Sequence, residues 1–188
     1  MMAFPLRTDR LLLSPLGAAD REAFVAYRRE PDVARWQSWT PEFLLADADA
    51  LLAAQPDAVV PGSGAWLQVG IRDAESGALL GDVAVHALEE QPDTYELGVT
   101  LAPSAQGAGV AAEALGAVVD ALFREQRAHR VFALTDARNA PAARLFTRLG
   151  FRHEGRAVDA DWFKGEWTTV DTWAVVRGER VAGDAQPE

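Results

Sequence analysis

The sequence predicts a single domain of mixed α/β class, and three observations lead to this prediction. A chain of 188 residues can bury one sizeable core but is short for two. Its 49 % apolar content and six tryptophans are typical of a globular protein. Hydrophobic periods of two and of 3.6 residues alternate along the chain, with no internal repeat and no linker between two halves. We expect the domain to span residues 1–181 and a disordered tail to span residues 182–188.

The N-terminal part is predicted to contain one strand and two helices. Residues 10–16 have the pattern of a strand stopped by its proline, and residues 20–29 that of a short helix with buried aromatic side chains. Thr40 and Pro41 favour the opening of a second helix, because threonine caps helices and proline suits the first helical position. This helix would carry one apolar stripe, formed by Leu44, Leu45, Ala48, Leu51 and Leu52.

The segments on either side of the chain centre are predicted to be strands. Residues 66–72 and 79–88 form a hairpin, since the connection at residues 73–77 consists of turn residues. Near the C-terminus, residues 130–135 form a short apolar strand. Residues 162–177 supply one or two further strands around a turn at residues 164–166. The resulting order of strands and helices indicates a single domain of mixed α/β class.

A glycine-containing loop at residues 106–111 is the most informative segment of the chain. It follows a predicted strand at residues 95–101 and opens a predicted helix at residues 110–125. Glycines let a ligand approach the backbone closely, and the first N–H groups of a helix face any anion at its N-terminus. The unit therefore predicts a phosphate-binding loop, although glycine also marks ordinary turns and helix starts.

The helix predicted at residues 141–149 has clear signals at both ends. Asn139 is suited to cap its N-terminus, and Gly150 stands where a helix end takes left-handed backbone. Phe151 would supply the apolar contact that accompanies such an ending. Arginines are concentrated between the glycine loop and the end of this helix, in an otherwise acidic chain.

Composition excludes several classes of function. Without cysteine the chain has no disulfide, thiolate metal site or cysteine nucleophile, and its three histidines have no metal-site spacing. A net charge of −10 argues against a nucleic-acid partner, and is compatible with a cationic amine substrate or with solubility alone. The sequence shows no membrane span and no signal peptide, so we expect no membrane partner and a cytoplasmic location.

Five segments of the sequence, in the family's order, resemble the GCN5-related N-acetyltransferase (GNAT) family. They are most similar to its ribosomal-protein N-terminal acetyltransferase branch, which is RimJ/RimL-like. The loop matches the family's acetyl-CoA signature, Gln/Arg-x-x-Gly-x-Gly/Ala. The other matches are the opening at residues 7–13, the strand at 95–98, Glu113 in the following helix, and the asparagine helix with its Leu-Gly-Phe ending.

The resemblance implies a central, mostly antiparallel sheet that is splayed between two adjacent strands, with helices on both faces. Acetyl-CoA would enter the splay, its pantetheine arm pairing with the strand at residues 95–100 and its pyrophosphate lying on the loop amides. A backbone N–H in the region of residues 97–99 would stabilise the oxyanion. The cofactor-binding residues implied are Leu97, Gly98, Val99, Gln106, Gly107, Ala108, Gly109, Val110, Ala111, Asn139 and Arg144.

The activity implied is N-acetyl transfer from acetyl-CoA directly to a primary amine, either a protein N-terminus or a small molecule. Glu96 is the candidate general base, with His86 as the next candidate, although either could have a structural role. Trp36 and Trp39 either form an aromatic wall for the acceptor or pack in the core. A homodimer is possible through tryptophans of the final strands. The alternatives are an acyl-CoA-binding protein without catalysis and an acyltransferase that uses another donor such as succinyl-CoA.

The sequence departs from the family at the positions that would supply a proton to the leaving thiolate. Phe146 stands where many members have a tyrosine, and Ala142 stands where this branch often has a serine. Ala108 occupies a loop position where a lysine or arginine is common. We therefore expect phosphate binding to depend on backbone amides and on arginines elsewhere. Glu113 is expected to anchor the helix rather than take part in the chemistry, and Asn139 to act as cap, as ligand, or as both.

Overall fold

One eight-stranded open sheet organises the chain in a computed structural model that describes residues 2–91 and 93–179. The strands are β1 (Leu6–Arg7), β2 (Leu11–Pro15), β3 (Trp66–Asp73), β4 (Leu79–Ala87), β5 (Thr94–Leu101), β6 (Arg130–Asp136), β7 (Arg152–Phe163) and β8 (Glu166–Val176). The α-helices are α1 (Arg21–Arg28), α2 (Pro31–Ala34), α3 (Leu45–Ala54), α4 (Val110–Glu125) and α5 (Ala140–Arg148). The predicted tail at residues 182–188 lies outside the described residues.

The sheet is splayed between β5 and β6, as the resemblance predicts. Strand order is β1-β2-β3-β4-β5-β6-β8-β7, and β5 and β6 run parallel whereas the other neighbours run antiparallel. The ladder between β5 and β6 joins residues 94–96 to residues 130–132 only. In contrast, β5 pairs with β4 along residues 95–101. The two strands therefore diverge beyond Glu96 and leave a gap in the middle of the sheet.

Two apolar clusters cover the two faces of this sheet. The larger packs α4 and α5 against one face and includes Tyr95 and Leu97 of β5. The smaller packs α1, α2 and α3 against the other face. Because side chains alternate along a strand, the odd-numbered residues of β5 face α4. The even-numbered residues, including Glu96, face the opposite side, where Tyr27 of α1 donates a hydrogen bond of 2.5 Å to Asp82.

The start predicted for the second helix, which corresponds to α3 of the structure, is wrong. Thr40 and Pro41 do not open it: α3 begins at Leu45, where the carboxylate of Asp47 accepts a hydrogen bond of 2.7 Å from the backbone N–H of Leu44. A first-turn carboxylate satisfies a free N–H and interacts favourably with the helix dipole, so this cap replaces the threonine cap. Leu44 and Leu45 are exposed as a result, and the buried stripe is shorter than predicted.

Two further elements depart from the sequence prediction. β7 begins at Arg152 rather than near residue 162, and it is exposed along nearly its whole length because it forms an outer edge of the sheet. The short helix α2 opens with Pro31 and has only four residues.

Among the described residues, no helix combines the length and apolar character that crossing a membrane requires.

The close contact between β4 and β5 depends on a glycine. A Cβ at Gly81 would lie 2.2 Å from the carbonyl oxygen of Thr100, which is a backbone atom and cannot move aside. We predict that Gly81→Ala lowers the free energy of unfolding by about 1–3 kcal/mol, as overpacking typically does. Urea unfolding measures this change. Gly155→Ala is the matched control, because a Cβ there meets nothing within 4 Å and should change stability by less than about 0.5 kcal/mol. Equal stability of the two variants would contradict the prediction.

Candidate active site

The gap between β5 and β6 leads into a cavity of about 570 Å³. Its walls come from four parts of the fold: the α2 region, the end of β5, the glycine loop with the start of α4, and α5. Predicted residues that line it are Trp36, Val99, Gln106, Gly107, Gly109, Val110, Ala111, Asn139 and Arg144. The splay, the loop and the asparagine helix therefore meet at one site, although they are separated in the sequence.

The glycine loop exposes a row of backbone donors to this cavity. Gly107 and Gly109 have φ values of 77° and 80°, a left-handed conformation that favours glycine. Among the described residues, none accepts a hydrogen bond from the N–H groups of residues 107–111. Gly109 is the N-cap of α4, so the positive end of the helix dipole adds to these donors. The arrangement can bind an anion of the size of a phosphate group.

The free edge of β5 presents backbone groups to the same gap. Leu88 donates to the carbonyl of Thr94, and Ala102 donates to the carbonyl of Leu80, so the even-numbered residues of β5 direct their polar groups towards β4. The odd-numbered residues Leu97 and Val99 therefore direct theirs towards the splay. The Nε2 of Gln37 donates a long hydrogen bond of 3.4 Å to the Val99 carbonyl. An extended ligand with amide groups could pair along this edge.

Two arginines of α5 add positive charge to the wall facing the loop. Arg144 and Arg148 lie one helical turn apart, line the cavity and are exposed. Arg144 is a predicted cofactor-binding residue, whereas Arg148 is known from the sequence only as one of the concentrated arginines. Together with the loop amides, these guanidinium groups make the entrance favourable for phosphates.

Asn139 has the geometry of a helix cap and also lies on the cavity wall. Its Oδ1 accepts a hydrogen bond of 3.2 Å from the backbone N–H of Ala142, which confirms the predicted cap of α5. At the other end of α5, Gly150 has a φ of 80° and Phe151 donates to the carbonyl of Phe146, as predicted for this ending. Asn139 also lines the cavity, and its role as a ligand stays a prediction.

Glu96 lies at the apex of the splay, because it is the last residue of β5 that pairs with β6. Its carboxylate oxygen is 3.3 Å from Nδ1 of His86, so the two predicted catalytic residues are neighbours. The His86 ring stacks on Trp66 with centroids 4.4 Å apart and an interplanar angle of 11°. Glu96 and His86 are partly exposed, and neither of them lines the cavity described above. Sequence reasoning missed Trp66, whose role depends on a cross-strand contact.

The two tryptophans predicted to bind the acceptor are separated in the structure. Trp36 lines the cavity, and the Arg35 guanidinium lies 4.7 Å from its ring centroid. Trp39 instead packs on the buried Arg28 guanidinium, whose Cζ lies 3.7 Å from the centroid of the Trp39 ring. Its Nε1–H donates a hydrogen bond to the Arg28 carbonyl. This contact explains Trp39 by packing alone, so we retain only Trp36 as a candidate for the acceptor wall.

The two positions of the missing proton donor are occupied by apolar residues with different surroundings. Phe146 is 3 % exposed and packs against Phe151, with ring centroids 5.2 Å apart. Ala142 lines the cavity. Neither side chain can protonate a thiolate.

Comparison with known proteins decides the family to which the chain belongs. Residues 10–152 match the model of the acetyltransferase (GNAT) domain, which is more than half of the chain. The chain belongs to the GNAT acetyltransferase family. Its members use acetyl-CoA, so this GNAT protein is an acyl-CoA-dependent enzyme with acetyl-CoA as cosubstrate. Among the described residues, no group of three or more histidine and acidic side chains is placed to hold a metal ion.

Three similar proteins illustrate the range of the family. The uncharacterized N-acetyltransferase p20 of Bacillus licheniformis is 22 % identical over 93 % of this chain and 97 % of its own length. A spermidine N-acetyltransferase from Vibrio cholerae, solved with CoA and spermine, has a TM-score of 0.79 and 18 % identity over 93 % of this chain and 99 % of that one. RimJ from Mycobacterium smegmatis, solved with CoA-disulfide, has a TM-score of 0.79 and 20 % identity over 93 % of this chain and 88 % of that one. At these identities the two structures show a shared fold alone.

We predict that Asn139→Ala destabilises the GNAT domain by roughly 1 kcal/mol, the usual cost of losing an N-cap, and weakens CoA binding modestly. Chemical unfolding and calorimetric titration with CoA measure the two effects. Asn139→Ser is the matched control, because its hydroxyl keeps the cap acceptor and lacks the amide donor. If the affinity for CoA falls strongly in both variants while the free energy of unfolding is unchanged, Asn139 acts as a ligand. The prediction that it acts mainly as a helix cap is then wrong.

Proposed function

We propose that this protein transfers an acetyl group from acetyl-CoA directly to a primary amine, with the cosubstrate in the splay between β5 and β6. The observation that carries the proposal is the coincidence of the free β5 edge, the unpaired loop amides and Glu96 around one gap. Each feature suits a different part of the reaction: the pantetheine arm, the pyrophosphate and the attacking amine. The family assignment supports the cosubstrate, and the site residues are our proposal.

The bound cosubstrate would make its contacts chiefly with backbone groups. The pyrophosphate accepts hydrogen bonds from the N–H groups of residues 107–111, and Arg144 and Arg148 supply the counter-charge. The pantetheine amides pair with Leu97 and Val99, where the side chain of Gln37 now donates to the Val99 carbonyl. These contacts need no basic residue in the loop, which accounts for Ala108.

The transfer itself requires three events at the apex. The Glu96 carboxylate takes a proton from the ammonium group of the acceptor, directly or through water, so that the free amine can attack the thioester carbonyl. A backbone N–H of Leu97 or Val99 stabilises the negative charge on the carbonyl oxygen. The carbon–sulfur bond then breaks, the nitrogen of the new amide gives its extra proton to water, and CoA departs as a thiolate. A thiol is acidic enough for this departure near neutral pH, so a dedicated acid is not required.

The acceptor is proposed to be a primary amine that carries its own positive charge before reaction. Glu96 at the apex and Asp32 on the cavity wall both favour a cation, and Trp36 supplies an aromatic surface beside them. The RimJ/RimL-like branch suggests a protein N-terminus, whereas the spermidine enzyme suggests a small amine. The same carboxylate of Asp32 disfavours a donor with an anionic acyl group such as succinyl-CoA. We propose a cytoplasmic location for this activity.

The second candidate is an acyl-CoA-binding protein without catalysis. The apolar residues at positions 142 and 146 are the observation that favours it. Such a protein would bind CoA and be stabilised by it, and would release no thiol with any amine.

We predict that binding of CoA depends on the left-handed glycines of the loop. Gly107→Val strains a residue at a φ of 77°, and Gly109→Pro cannot adopt a φ of 80° and also loses its N–H. Each change should weaken CoA binding at least tenfold in calorimetry and leave the fold intact. Gly77→Val is the matched control, since Gly77 has a φ of 74° in the remote turn between β3 and β4. Unchanged affinity in both loop variants would remove the proposed phosphate site.

We predict that Glu96→Gln lowers kcat/KM about a hundredfold with the best amine while leaving CoA affinity unchanged, because it removes one general base. The best amine is found by screening peptide N-termini and small amines with acetyl-CoA and measuring free thiol. Glu75→Gln, in the exposed turn between β3 and β4, is the control for loss of a carboxylate. Full activity of Glu96→Gln would transfer the base role to His86. Absence of thiol release with every amine, despite CoA binding, would favour the second candidate.

A further inference from the structure

The side chain of Arg10, between β1 and β2, reaches the glycine loop. Its Nη1 donates a hydrogen bond of 3.2 Å to the carbonyl of Ala108, which is 98 positions away in the sequence. Its Nε and Nη2 donate to one carboxylate oxygen of Glu113 in α4, at 2.8 and 2.6 Å. One guanidinium group therefore connects the loop to the first turn of the helix. Arg10 lies in the opening at residues 7–13 that resembles the family, but it is not among the cofactor-binding residues that the resemblance implies.

The loop has little else to hold it in place. A Cβ at Gly107 would meet nothing within 4 Å, and the nearest atom to one at Gly109 would be Nη2 of Arg10, at 3.6 Å. Among the described residues, the only long-range hydrogen bond to residues 107–109 is the one from Arg10. Because packing does not fix the conformation of the loop, the hydrogen bond from Arg10 to the Ala108 carbonyl is important for holding that conformation.

Glu113 itself is held by several donors. Thr8 donates a hydrogen bond of 2.5 Å and the backbone N–H of Arg10 one of 3.2 Å to its other carboxylate oxygen. Partial burial acts to raise the pKa of Glu113, but the hydrogen bonds from Thr8 and Arg10 outweigh it and hold that pKa below its ordinary value. Glu113 is therefore a carboxylate at neutral pH. A carboxylate in the first turn of α4 would repel a phosphate bound at the same helix end unless a cation neutralised it.

We infer that Arg10 is a positioning residue for the pyrophosphate of acetyl-CoA. It turns the Ala108 carbonyl towards itself, so that the flanking N–H groups face the cavity, and it cancels the charge of Glu113. Arg10 thus supplies from the N-terminal segment the cation that the loop lacks at Ala108. The inference rests on the proposed function, because it assumes that the pyrophosphate binds at residues 107–111.

The test compares CoA with pantetheine, which has the same arm and no phosphate. Calorimetry measures the affinity for CoA, and ligand-detected NMR measures the weaker affinity for pantetheine. We expect Arg10→Met to weaken CoA binding roughly tenfold and to leave pantetheine binding unchanged. Glu113→Gln should weaken CoA binding less. The double variant Arg10→Met, Glu113→Gln should bind CoA more tightly than Arg10→Met alone, because the uncompensated carboxylate is gone.

Arg7→Met is the matched control, since Arg7 is an exposed arginine of β1 that makes no ion pair with Glu113 and no hydrogen bond to the loop among the described residues. Arg10→Lys keeps the charge and should recover part of the affinity. Equal CoA affinity of Arg10→Met and the unchanged protein would overturn the inference, as would an equal loss for CoA and pantetheine. Failure of the proposed function gives a different result, because Gly107→Val would then also leave CoA binding unchanged.

Discussion

The divergence of β6 from β5 after Glu96 is the constraint on which the rest of the structure depends. Up to that residue β5 has a partner strand on both sides, and beyond it Leu97 and Val99 direct backbone groups into a gap. Unpaired backbone groups in a partly buried strand are costly, and a long side chain such as Gln37 satisfies only one of them. An extended ligand with its own amides satisfies several at once. The topology, more than any side chain, therefore selects an elongated cosubstrate.

The tip of the β7–β8 hairpin joins the two sides of this gap. Lys164 donates to the carbonyl of Ala34 at 2.5 Å and to that of Trp39 at 2.7 Å, which ties the α2 wall to the hairpin. Glu166 pairs with Arg138 at 2.9 Å, at the far end of β6. Beneath the α2 wall, the buried Arg28 is stacked on aromatic rings and pairs with Asp82. The acceptor side is thus held by charged groups that contact backbone and rings, and the wall can stay open without collapsing.

The sequence was sufficient where the signal is local. The bounds of α4, the cap at Asn139 and the ending at Gly150 all follow from residues within one or two turns of each other, and the structure confirms them. The sequence was insufficient to predict features that depend on contacts between residues far apart along the chain. The exposed edge strand β7 shows no apolar alternation, because neither of its faces is covered. The contact of Arg10 with the loop joins residues far apart in the sequence, so no spacing rule could find it.

The departures from the family pattern fall at Ala108 of the loop and at the two positions that would protonate the leaving thiolate. The loop keeps the glycine signature of the family although it lacks a basic residue at Ala108, whereas the positions that would protonate the thiolate hold Phe146 and Ala142. Phe146 is buried against Phe151, so a hydroxyl there would have to compete with packing. We therefore propose that the splay and the loop fix where the cosubstrate lies, and that the departure of the thiolate depends on its own acidity and on water. In the proposed mechanism the amine must still lose a proton, which is the role that we propose for Glu96, with His86 beside it at the apex.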